Sequence, residues 1–569
     1  MTTIVNEFQR TVTTYPCNIA LVSATEGEMS YLKLDEYSNF IAHELLLNKS
    51  EANVVGVFLN RSFALIASII GVMKAGLTYL PLDPSYPIDR INWMLTTSKV
   101  KKIICDDLTK NKLNENYDIL CLNNKYKYCD QNIRRCNENE IACILYTSGS
   151  TGRPNGVMMT HEAILNTLKW AIKFYELSTD DVALQVPSCS FTSSVQDIFS
   201  TLLSGGKLVI LDDKKMLNAR YLKMISDKYH VTHFDMVPSL YKEYLRIIKN
   251  ESTLRFVLLA GEPLTPNLVR NHFRTLSAVR LVNEYGMAET CSCCFAKELT
   301  ASDQIISIGK PIANICYKIM DVDPEGVGEL LISGKGLSLG YHNNYEYTCE
   351  KYVDINGIRY LKTGDFVRKN EDGDIIYISR KDRQIKINGK RVNMIEIDYV
   401  LQNDEQTFDS ITIAVLFREK QLIVSFVKSR KNDNEYYFEK LKEKLPVHCI
   451  PNYIKIIDDF YYLPNKKIDI KRMSEMVVSE LDNANMLSDD RFKKISKIIS
   501  EVSNGLLNEP NIDKDLRQQG IDSISFIRLL SEIEEQFKFE FGYDDIDSLK
   551  TVSIKTLYEY IIAISIKDR

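Results

Sequence analysis

Glycine and hydroxyl residues are concentrated between positions 146 and 156, where the sequence reads Tyr-Thr-Ser-Gly-Ser-Thr-Gly-Arg-Pro-Asn-Gly. The run follows an apolar stretch at 141–145 that is typical of a buried strand. Glycine lets backbone amides approach a phosphate closely, and hydroxyl groups supply further hydrogen-bond donors. The spacing differs from that of the Walker loop, which ends in Gly-Lys-Ser/Thr. The run therefore predicts a phosphate-binding loop of another kind, with an ordinary surface loop as the alternative.

Four more motifs follow at wide intervals along the chain. They are Asn-Glu-Tyr-Gly-Met-Ala-Glu-Thr at 283–290, Tyr-Leu-Lys-Thr-Gly-Asp at 360–365, Arg-Lys-Asp-Arg-Gln-Ile-Lys-Ile-Asn-Gly at 380–389 and Pro-Asn-Lys-Lys-Ile-Asp at 464–469. Each is weak alone, whereas the ordered set of five is specific. In this order they resemble the adenylation domains of nonribosomal peptide synthetases, within the superfamily of acyl-CoA synthetases and luciferases. The resemblance extends over residues 10–475 and implies an adenylate-forming ligase.

The resemblance implies that a substrate carboxylate is joined to ATP, giving an acyl-adenylate and pyrophosphate. Negative charge then approaches negative charge at the α-phosphorus, so the site must supply cations and donors. Glu289 is implied to hold Mg²⁺, which prefers hard oxygen ligands. Lys467 is implied to be the catalytic cation that bridges the carboxylate and the α-phosphate, although a lysine in a basic run is ordinarily a solvated surface residue. The implied nucleotide-binding residues are Thr147, Ser148, Gly149, Thr151, Gly152, Asn283, Tyr285, Asp365, Tyr377, Arg380 and Lys386.

The implied substrate pocket carries two carboxylates. The family's pocket pattern falls on Thr192, Ser193, Gln196, Asp235, Leu258, Ala260, Glu284, Ser292 and Cys293. Relatives that activate α-amino acids usually carry Asp where this chain has the neutral Thr192, and that Asp pairs with the α-ammonium group. An α-amino acid is therefore disfavoured but not excluded. Because buried carboxylates need a partner, Asp235 and Glu284 favour a β- or ω-amino acid or a guanidino acid.

Other interpretations of the pocket stay open. An aryl or hydroxy acid would bond Asp235 or Glu284 through a hydroxyl group, and either carboxylate could point out of the pocket or pair with a local Lys or Arg. A second departure from the family is Asn155, which stands where a Lys usually follows the Pro of the glycine-rich loop. This change removes one cation near the phosphates; either Lys467 and Mg²⁺ suffice without it, or the nucleotide chemistry is slower or altered.

The C-terminal segment contains Gly-Ile-Asp-Ser at 520–523. This run resembles the attachment site of acyl and peptidyl carrier domains, in which the serine receives 4'-phosphopantetheine. It implies modification of Ser523 by a phosphopantetheinyl transferase, whereas a plain serine helix cap is the alternative. Apolar residues then recur at helical spacing, which predicts an amphipathic helix; they are Phe526, Leu529, Leu530, Ile533 and Phe537.

Together these motifs predict a loading enzyme that activates an acid and captures it as a thioester on its own phosphopantetheine arm. The sequence has no adjacent pair of His residues, so it lacks the condensation signature. We therefore expect transfer to a downstream condensation, ketosynthase or acyltransferase-type acceptor. One alternative is an acid–CoA ligase using free CoA, against which Ser523 argues. The other is a catalytically degenerate carrier or scaffold, against which the intact Glu289, Asp365 and Lys467 argue.

The elements that must position these residues are predicted from the alternation of apolar runs with amphipathic stretches. We expect a large layered α/β lobe at 1–380, a small α/β lobe at 381–478 that moves about a hinge at Asp382, a linker at 479–490, and an all-α four-helix carrier bundle at 491–569. The 569 residues carry a net charge of −5, which gives no reason to expect nucleic acid as a partner. Neither a signal peptide nor a membrane-length apolar run is recognisable, so no membrane and a cytoplasmic location are expected.

Overall fold

The computed structural model describes most of the chain. The residues described are 3–47, 53–113, 117–122, 127–130, 141–147, 154–216, 218–248, 253–380, 384–387, 390–417, 420–461, 468–483, 490–503, 514–537, 541 and 557. They form two units, the first containing most of the described residues up to Arg380 and the second those from Gln384 onward. None of the described helices is long and apolar enough to cross a membrane.

The helices are named in chain order. They are α1 (Ile4–Thr14), α2 (Tyr31–Leu47), α3 (Phe63–Lys74), α4 (Ile88–Thr97), α5 (Asp107–Lys110), α6 (His161–Phe174), α7 (Thr192–Ser204), α8 (Ala219–Tyr229), α9 (Pro238–Ile247), α10 (Pro266–Thr275), α11 (Tyr345–Lys351), α12 (Met394–Gln402), α13 (Asn434–Lys444), α14 (Ile470–Asn483), α15 (Asp490–Val502) and α16 (Ser523–Phe537). Short 3-10 turns lie at Ala288–Thr290 and Val447–Cys449.

The strands of the first unit are β1 (Ile19–Ser23), β2 (Gly27–Ser30), β3 (Val54–Phe58), β4 (Thr78–Pro81), β5 (Lys102–Cys105), β6 (Asp118–Cys121), β7 (Ile141–Thr147), β8 (Asn155–Thr160), β9 (Val182–Gln185), β10 (Lys207–Ile210), β11 (His233–Met236), β12 (Phe256–Ala260), β13 (Arg280–Met287), β14 (Ser292–Leu299), β15 (Lys310–Pro311), β16 (Ile315–Met320), β17 (Val327–Gly334), β18 (Gly340–Tyr341), β19 (Tyr352–Ile355), β20 (Ile358–Lys369) and β21 (Ile375–Arg380). Those of the second unit are β22 (Gln384–Ile387), β23 (Lys390–Asn393), β24 (Thr407–Phe417), β25 (Lys420–Ser429) and β26 (Tyr453–Ile457).

Three sheets form the first unit. Among the described residues, the largest has the order β15-β14-β13-β12-β11-β9-β10-β1-β2, and its strands from β13 to β1 are parallel. The second has the order β18-β8-β7-β4-β3-β5-β6, and the third joins β16, β17, β20, β19 and β21. One hydrophobic cluster joins both larger sheets to α1, α2, α3, α6 and α7. Strands covered on both faces require continuous apolar runs, and β3 is buried at all its positions.

Helices α2 and α3 pack in close contact inside this cluster. A Cβ atom at Gly71 would lie 2.9 Å from the carbonyl oxygen of Ser38, so a larger residue would push the helices apart. Beside this contact Lys74 is fully buried. Its Nζ donates to Asp35 Oδ1 at 2.6 Å and to Asn39 Oδ1 at 2.7 Å. A buried ammonium group needs such partners.

The second unit contains a small α/β part and a helical part. Strands β24, β25 and β26 pack with α12, α13 and α14, and a cluster of apolar residues joins α15 to α16. The predicted order of a large α/β lobe, a smaller α/β lobe and a helical segment is thus confirmed. Of the predicted four-helix bundle, α15 and α16 lie within the described residues. Helix α14 continues to Asn483, inside the predicted linker, because Glu480 and Leu481 are good helix formers.

Candidate active site

The predicted substrate pocket lies at the carboxyl ends of parallel strands. Asp235 on β11 is level with Leu258 on β12, and Ala260 on β12 is level with Glu284 on β13. Residues in register on neighbouring strands share a face of the sheet, and α6 and α7 cover this face. The carboxyl ends of the strands are where parallel α/β sheets usually bind ligands. The fold therefore brings the two predicted pocket carboxylates to a position suited to a substrate.

Helix α7 supplies the opposite wall of the pocket. Gln196 Nε2 donates to both carboxylate oxygens of Glu284 at 3.0 Å. Ser292 Oγ donates to Gln196 Oε1, also at 3.0 Å. Thr192 and Ser193 are partly exposed in the first turn of α7. The structure thus joins three of the predicted pocket residues in one hydrogen-bonded chain.

A close approach of β13 and β14 gives Ser292 its position. A Cβ atom at Gly286 would lie 1.9 Å from the carbonyl oxygen of Ser292, so only glycine fits there. Cys291 and Ser292 have φ angles of 51° and 96°, in the left-handed region that non-glycine residues rarely adopt. The register shifts at this point, as in a β-bulge that redirects a side chain. Cys293 follows directly, and its buried thiol donates to the carbonyl oxygen of Phe295.

Three buried carboxylates interact in the pocket. Asp197, Asp235 and Glu284 are 4%, 6% and 6% exposed. Burial and the other two carboxylates raise the pKa of Asp197 well above its ordinary value, and burial and Glu284 do the same to the pKa of Asp235. Burial also raises the pKa of Glu284, while bonds donated by Tyr175 and Gln196 act to lower it. Within the described ranges, no lysine or arginine forms an ion pair with any of the three.

A second group of predicted residues meets around Asp365. The hydroxyl of Tyr285 donates to Asp365 Oδ2 at 2.5 Å, and Arg380 Nη1 donates to Asp365 Oδ1 at 2.8 Å. Strand pairing places Asp365 opposite Arg380. Burial and the Asp365 charge raise the pKa of Tyr285 well above its ordinary value, so its phenol stays a donor. Both oxygens of Asp365 are held in place, and each keeps a lone pair for a further donor.

The other described nucleotide-binding candidates lie on strands. Asn283 Nδ2 donates to the carbonyl oxygen of Ser307 at 2.8 Å. Thr147 is the last residue of β7, and β7 pairs with β8 on the other side of the glycine-rich loop. Tyr377 on β21 is 36% exposed. These contacts leave the nucleotide roles of the three residues as predictions.

Glu289 is a buried carboxylate in a 3-10 turn. It is 2% exposed, and the hydroxyl of Tyr341 donates to its Oε1 at 2.7 Å. A carboxylate is the hard oxygen ligand that Mg²⁺ prefers, usually together with water and substrate phosphates. Among the described residues there is no group of three or more His, Cys, Asp or Glu side chains that could hold a metal without such help. Glu289 therefore fits a metal that arrives with a nucleotide.

Several predicted site residues lie outside the described part of the chain. They are Ser148, Gly149, Thr151, Gly152, Asp382 and Lys467. Lys386 belongs to β22, where the backbone alone is described. Next to the loop, Asn155 Oδ1 accepts from Asn344 Nδ2 at 3.1 Å, and Asn155 Nδ2 is buried without a partner among the described residues.

Ser523 is the first residue of α16 and is partly exposed. The amide of Ser525 donates to Asp522 Oδ1 at 2.6 Å, so Asp522 serves as the helix cap. The predicted apolar stripe is confirmed for Phe526, Leu529, Leu530 and Ile533, which are all buried. The cap role considered for Ser523 is thus taken by its neighbour.

The sequence motifs missed two pocket residues. Asp197 directly follows the pocket position Gln196 and faces the same carboxylates. Tyr175 follows α6, and its hydroxyl donates to Glu284 Oε1 at 2.6 Å across 109 residues of chain. Adjacency to Gln196 was a usable signal for Asp197. Tyr175 belongs to no motif, and only the fold brings it to the pocket.

Two protein-family models match the chain. The model for AMP-binding enzymes matches residues 8–342, and the model for the phosphopantetheine attachment site matches residues 493–561. Bacitracin synthase 3 of Bacillus licheniformis is 36% identical over 510 residues, which are 83% of this chain and 8% of that protein. Gramicidin S synthase 2 of Aneurinibacillus migulanus is 32% identical over 493 residues, 83% of this chain and 11% of that protein. The chain thus spans about a tenth of the length of these relatives.

Solved structures show the same fold. An NRPS protein containing adenylation and PCP domains, bound to a vinylsulfonamide inhibitor, has a TM-score of 0.83 and 20% identity, covering 99% of this chain and 96% of that one. The adenylation domain AlmE of Vibrio cholerae, in complex with glycyl-adenosine-5'-phosphate, has a TM-score of 0.72 and 21% identity, covering 84% and 98%. At these identities the likeness concerns the fold alone.

Proposed function

Because the chain belongs to the AMP-binding enzyme family of adenylate-forming ligases, we propose that it activates an amino acid that carries a cationic group away from its carboxylate. The acyl group then passes to the phosphopantetheine arm of the segment that matches the attachment-site model. ATP and Mg²⁺ serve the first step and 4'-phosphopantetheine the second. The chain is a single loading unit in this proposal, of the kind found within nonribosomal peptide synthetases.

The observation that carries the proposal is the set of buried carboxylates without a cation. Removing a carboxylate from water is costly unless a positive group or several donors compensate. Glu284 receives neutral donors, whereas among the described residues no donor reaches the carboxylate of Asp235 and Asp197 Oδ2 is unpartnered. A substrate ammonium or guanidinium group supplies the missing charge. An aryl acid would bring at most a neutral hydroxyl donor and no positive charge.

A second unpartnered group supports a polar ligand at this end of the sheet. Gln185 ends β9 and is fully buried, and within the part of the chain that the structure describes neither its side-chain amide oxygen nor its nitrogen has a partner. Leu184 on β9 pairs with Phe234 on β11, so the next residues along these parallel strands, Gln185 and Asp235, lie side by side. Buried amides are nearly always hydrogen-bonded in native proteins. A polar substrate that reaches Asp235 would satisfy this amide as well.

Thr192 bears on where the substrate amine lies. It stands where α-amino-acid-activating relatives carry the Asp that pairs with an α-ammonium group, and it carries no charge. Thr192 is partly exposed on α7, whereas Asp235 and Glu284 are buried on the strands. The separation of carboxylate and amine in a β- or ω-amino acid, or in a guanidino acid, matches this arrangement.

The residues assigned to the nucleotide follow from their chemistry. Asp365, oriented by Tyr285 and Arg380, would accept hydrogen bonds from ribose hydroxyl groups. Glu289 would hold Mg²⁺, and Lys467 would neutralise the substrate carboxylate and α-phosphate. ATP supplies the adenylyl group that makes the substrate carbonyl reactive.

Thioester formation follows on the carrier segment. When attached, the phosphopantetheine arm would supply a thiol that takes the acyl group from the adenylate as a thioester, with release of AMP and a proton. Ser523 is the proposed attachment point, so a phosphopantetheinyl transferase is a required partner. A condensation, ketosynthase or acyltransferase-type protein is the proposed acceptor. We place the protein in the cytoplasm, where its described cysteines, all free thiols, stay reduced.

Exchange of pyrophosphate into ATP tests the activation step. The chain is assayed with β-alanine, 4-aminobutyrate, L-ornithine, L-arginine, a guanidino acid, neutral α-amino acids and hydroxybenzoates. We expect the fastest exchange with a cationic acid, meaning one whose amine or guanidine lies away from its carboxylate. Glu284→Gln should lose that preference. A preference for hydroxybenzoate would contradict the pocket assignment. Exchange followed by transfer to free CoA, unaffected by Ser523→Ala, would favour the acid–CoA ligase, and absence of all exchange would favour a scaffold.

A further inference from the structure

Tyr175 contacts the pocket with its hydroxyl group only. It follows the last turn of α6 and is 1% exposed. Its ring stacks on Phe256 with centroids 4.6 Å apart and meets Phe174 and Trp170 edge-on at 5.0 and 5.9 Å. The ring is therefore held on two sides by other aromatic rings. A side chain fixed in this way presents its hydroxyl in one direction.

The Tyr175 hydroxyl points at the carboxylate of Glu284. The Tyr175 hydroxyl donates to Glu284 Oε1 at 2.6 Å, and Gln196 Nε2 donates to both oxygens of the same carboxylate. The bulge positions Ser292, whose Oγ donates to Gln196 Oε1. This bond keeps the amide nitrogen of Gln196 turned toward Glu284. Tyr175 and Gln196 thus donate directly to the Glu284 carboxylate, and Ser292 holds Gln196 in position.

The neighbouring carboxylates, Asp235 and Asp197, receive fewer hydrogen bonds. Asp235 has no donor within the described ranges, and Asp197 Oδ2 is unpartnered. Hydrogen bonds donated to a carboxylate stabilise its ionised form and fix its orientation. Of the three acids, Glu284 is the one equipped to be a fixed anion.

We propose that Tyr175 is a positioning residue for substrate specificity: its hydroxyl, together with the Gln196 amide, holds Glu284 as an oriented anion that receives the cationic group of the substrate. This inference rests on the proposed function, because it assumes a cationic substrate in the pocket. It adds a residue that no motif identifies and separates the role of Glu284 from that of Asp235.

Substitution of Tyr175 by Phe tests the role, because it keeps the ring and deletes one donor. A hydrogen bond to a charged group is worth about ten- to hundredfold in binding. We expect the KM for the preferred cationic acid of the panel to rise by that factor, with kcat and the KM for ATP nearly unchanged. Tyr31→Phe is the matched control, since the buried Tyr31 hydroxyl also makes a 2.6 Å bond, to the carbonyl oxygen of Gly206.

The pH profile separates positioning from a structural role. The titratable groups that face Glu284 are Tyr175 from α6, Asp197 from α7, Asp235 from β11 and Cys293 from β14. Loss of the Tyr175 donor raises the pKa of Glu284 further, so the acidic limb of kcat/KM for the cationic acid moves to higher pH in Tyr175→Phe. A role confined to packing would change thermal stability in both tyrosine variants and leave this limb in place.

The outcomes distinguish this inference from the proposed function. An unchanged KM and acidic limb in Tyr175→Phe, with loss of cation preference in Glu284→Gln, would overturn the positioning role and leave the proposed function standing. If Glu284→Gln also keeps the preference, or if no cationic acid supports exchange, both are wrong. A raised KM with a shifted limb in Tyr175→Phe alone, and neither change in Tyr31→Phe, is the result that supports the role.

Discussion

Replacing Asp235 by Asn is expected to stabilise the ligand-free protein. Burial and Glu284 raise the pKa of Asp235 above its ordinary value of 3.8. When folding raises the pKa of a carboxyl group, the free energy of unfolding is highest below the group's ordinary pKa. It falls as the pH rises from that value through the pKa in the folded protein. Asn removes this penalty, so the gain should be larger at pH 8 than at pH 5.5.

The size of the effect follows from the cost of keeping a carboxyl group neutral. Each pH unit between the ordinary pKa and pH 7 costs about 1.4 kcal/mol, so the penalty at neutral pH is at most roughly 4 kcal/mol. Asn should recover stability up to this limit. Unfolding of about 380 residues carries an entropy near 0.8 kcal/mol per kelvin, so Tm should rise by up to roughly 5 °C.

Scanning calorimetry at the two pH values, without ligand, measures this change. Asp181→Asn is the matched control, because Asp181 is also a buried aspartate but is paired with Arg255 and Thr232. That variant should lose about 1–3 kcal/mol at both pH values, since it weakens bonds to a charged group. A lower Tm for Asp235→Asn at pH 8, or a gain that grows as the pH falls, would refute the reasoning about the pocket charge.

Three further predictions concern the substrate, the nucleotide and the core. Thr192→Asp should raise kcat/KM for α-amino acids by about tenfold or more, measured by pyrophosphate exchange; no gain would mean that the first turn of α7 does not meet the α-ammonium group. Asp365→Asn should raise the KM for ATP by about ten- to hundredfold, because it weakens both the ion pair with Arg380 and the acceptor for ribose, and an unchanged KM for ATP would contradict that role. Lys74→Met should cost about 3–5 kcal/mol by leaving Asp35 buried without its cation, and Lys74→Met with Asp35→Leu should recover much of the lost Tm; equal instability of the single and double variants would show that the unpaired charge is not the cause.

The sequence was sufficient to predict residues that lie in ordered motifs. The resemblance assigns Asp365 and Arg380 to the nucleotide-binding residues, and they meet because β20 and β21 are consecutive strands that pair directly. The two pocket carboxylates were also predicted to be near each other. Strands β11, β12 and β13 follow one another in the sheet, so the resemblance and the local pattern agree there.

Residues brought in by crossovers could not be predicted. Tyr175 reaches Glu284 because α6 folds over the face formed by β12 and β13, and no periodicity encodes which helix covers which strand. The left-handed backbone at Ser292 could not be predicted either, since serine, unlike glycine, does not indicate a positive φ angle. Asn155 was read as a missing cation, and its bond to Asn344 depends on a contact across 189 residues of chain. In each case the deciding contact is long-range.

The intact mass of the phosphopantetheinylated chain, after incubation with ATP, Mg²⁺ and an equimolar mixture of the panel acids, tests the central claim most directly. The account predicts one added acyl mass, that of an acid with an amine or guanidine away from its carboxylate, and its disappearance in both Ser523→Ala and Lys467→Ala. Addition of a hydroxybenzoyl or a neutral α-aminoacyl mass, or no added mass from any acid, would contradict it.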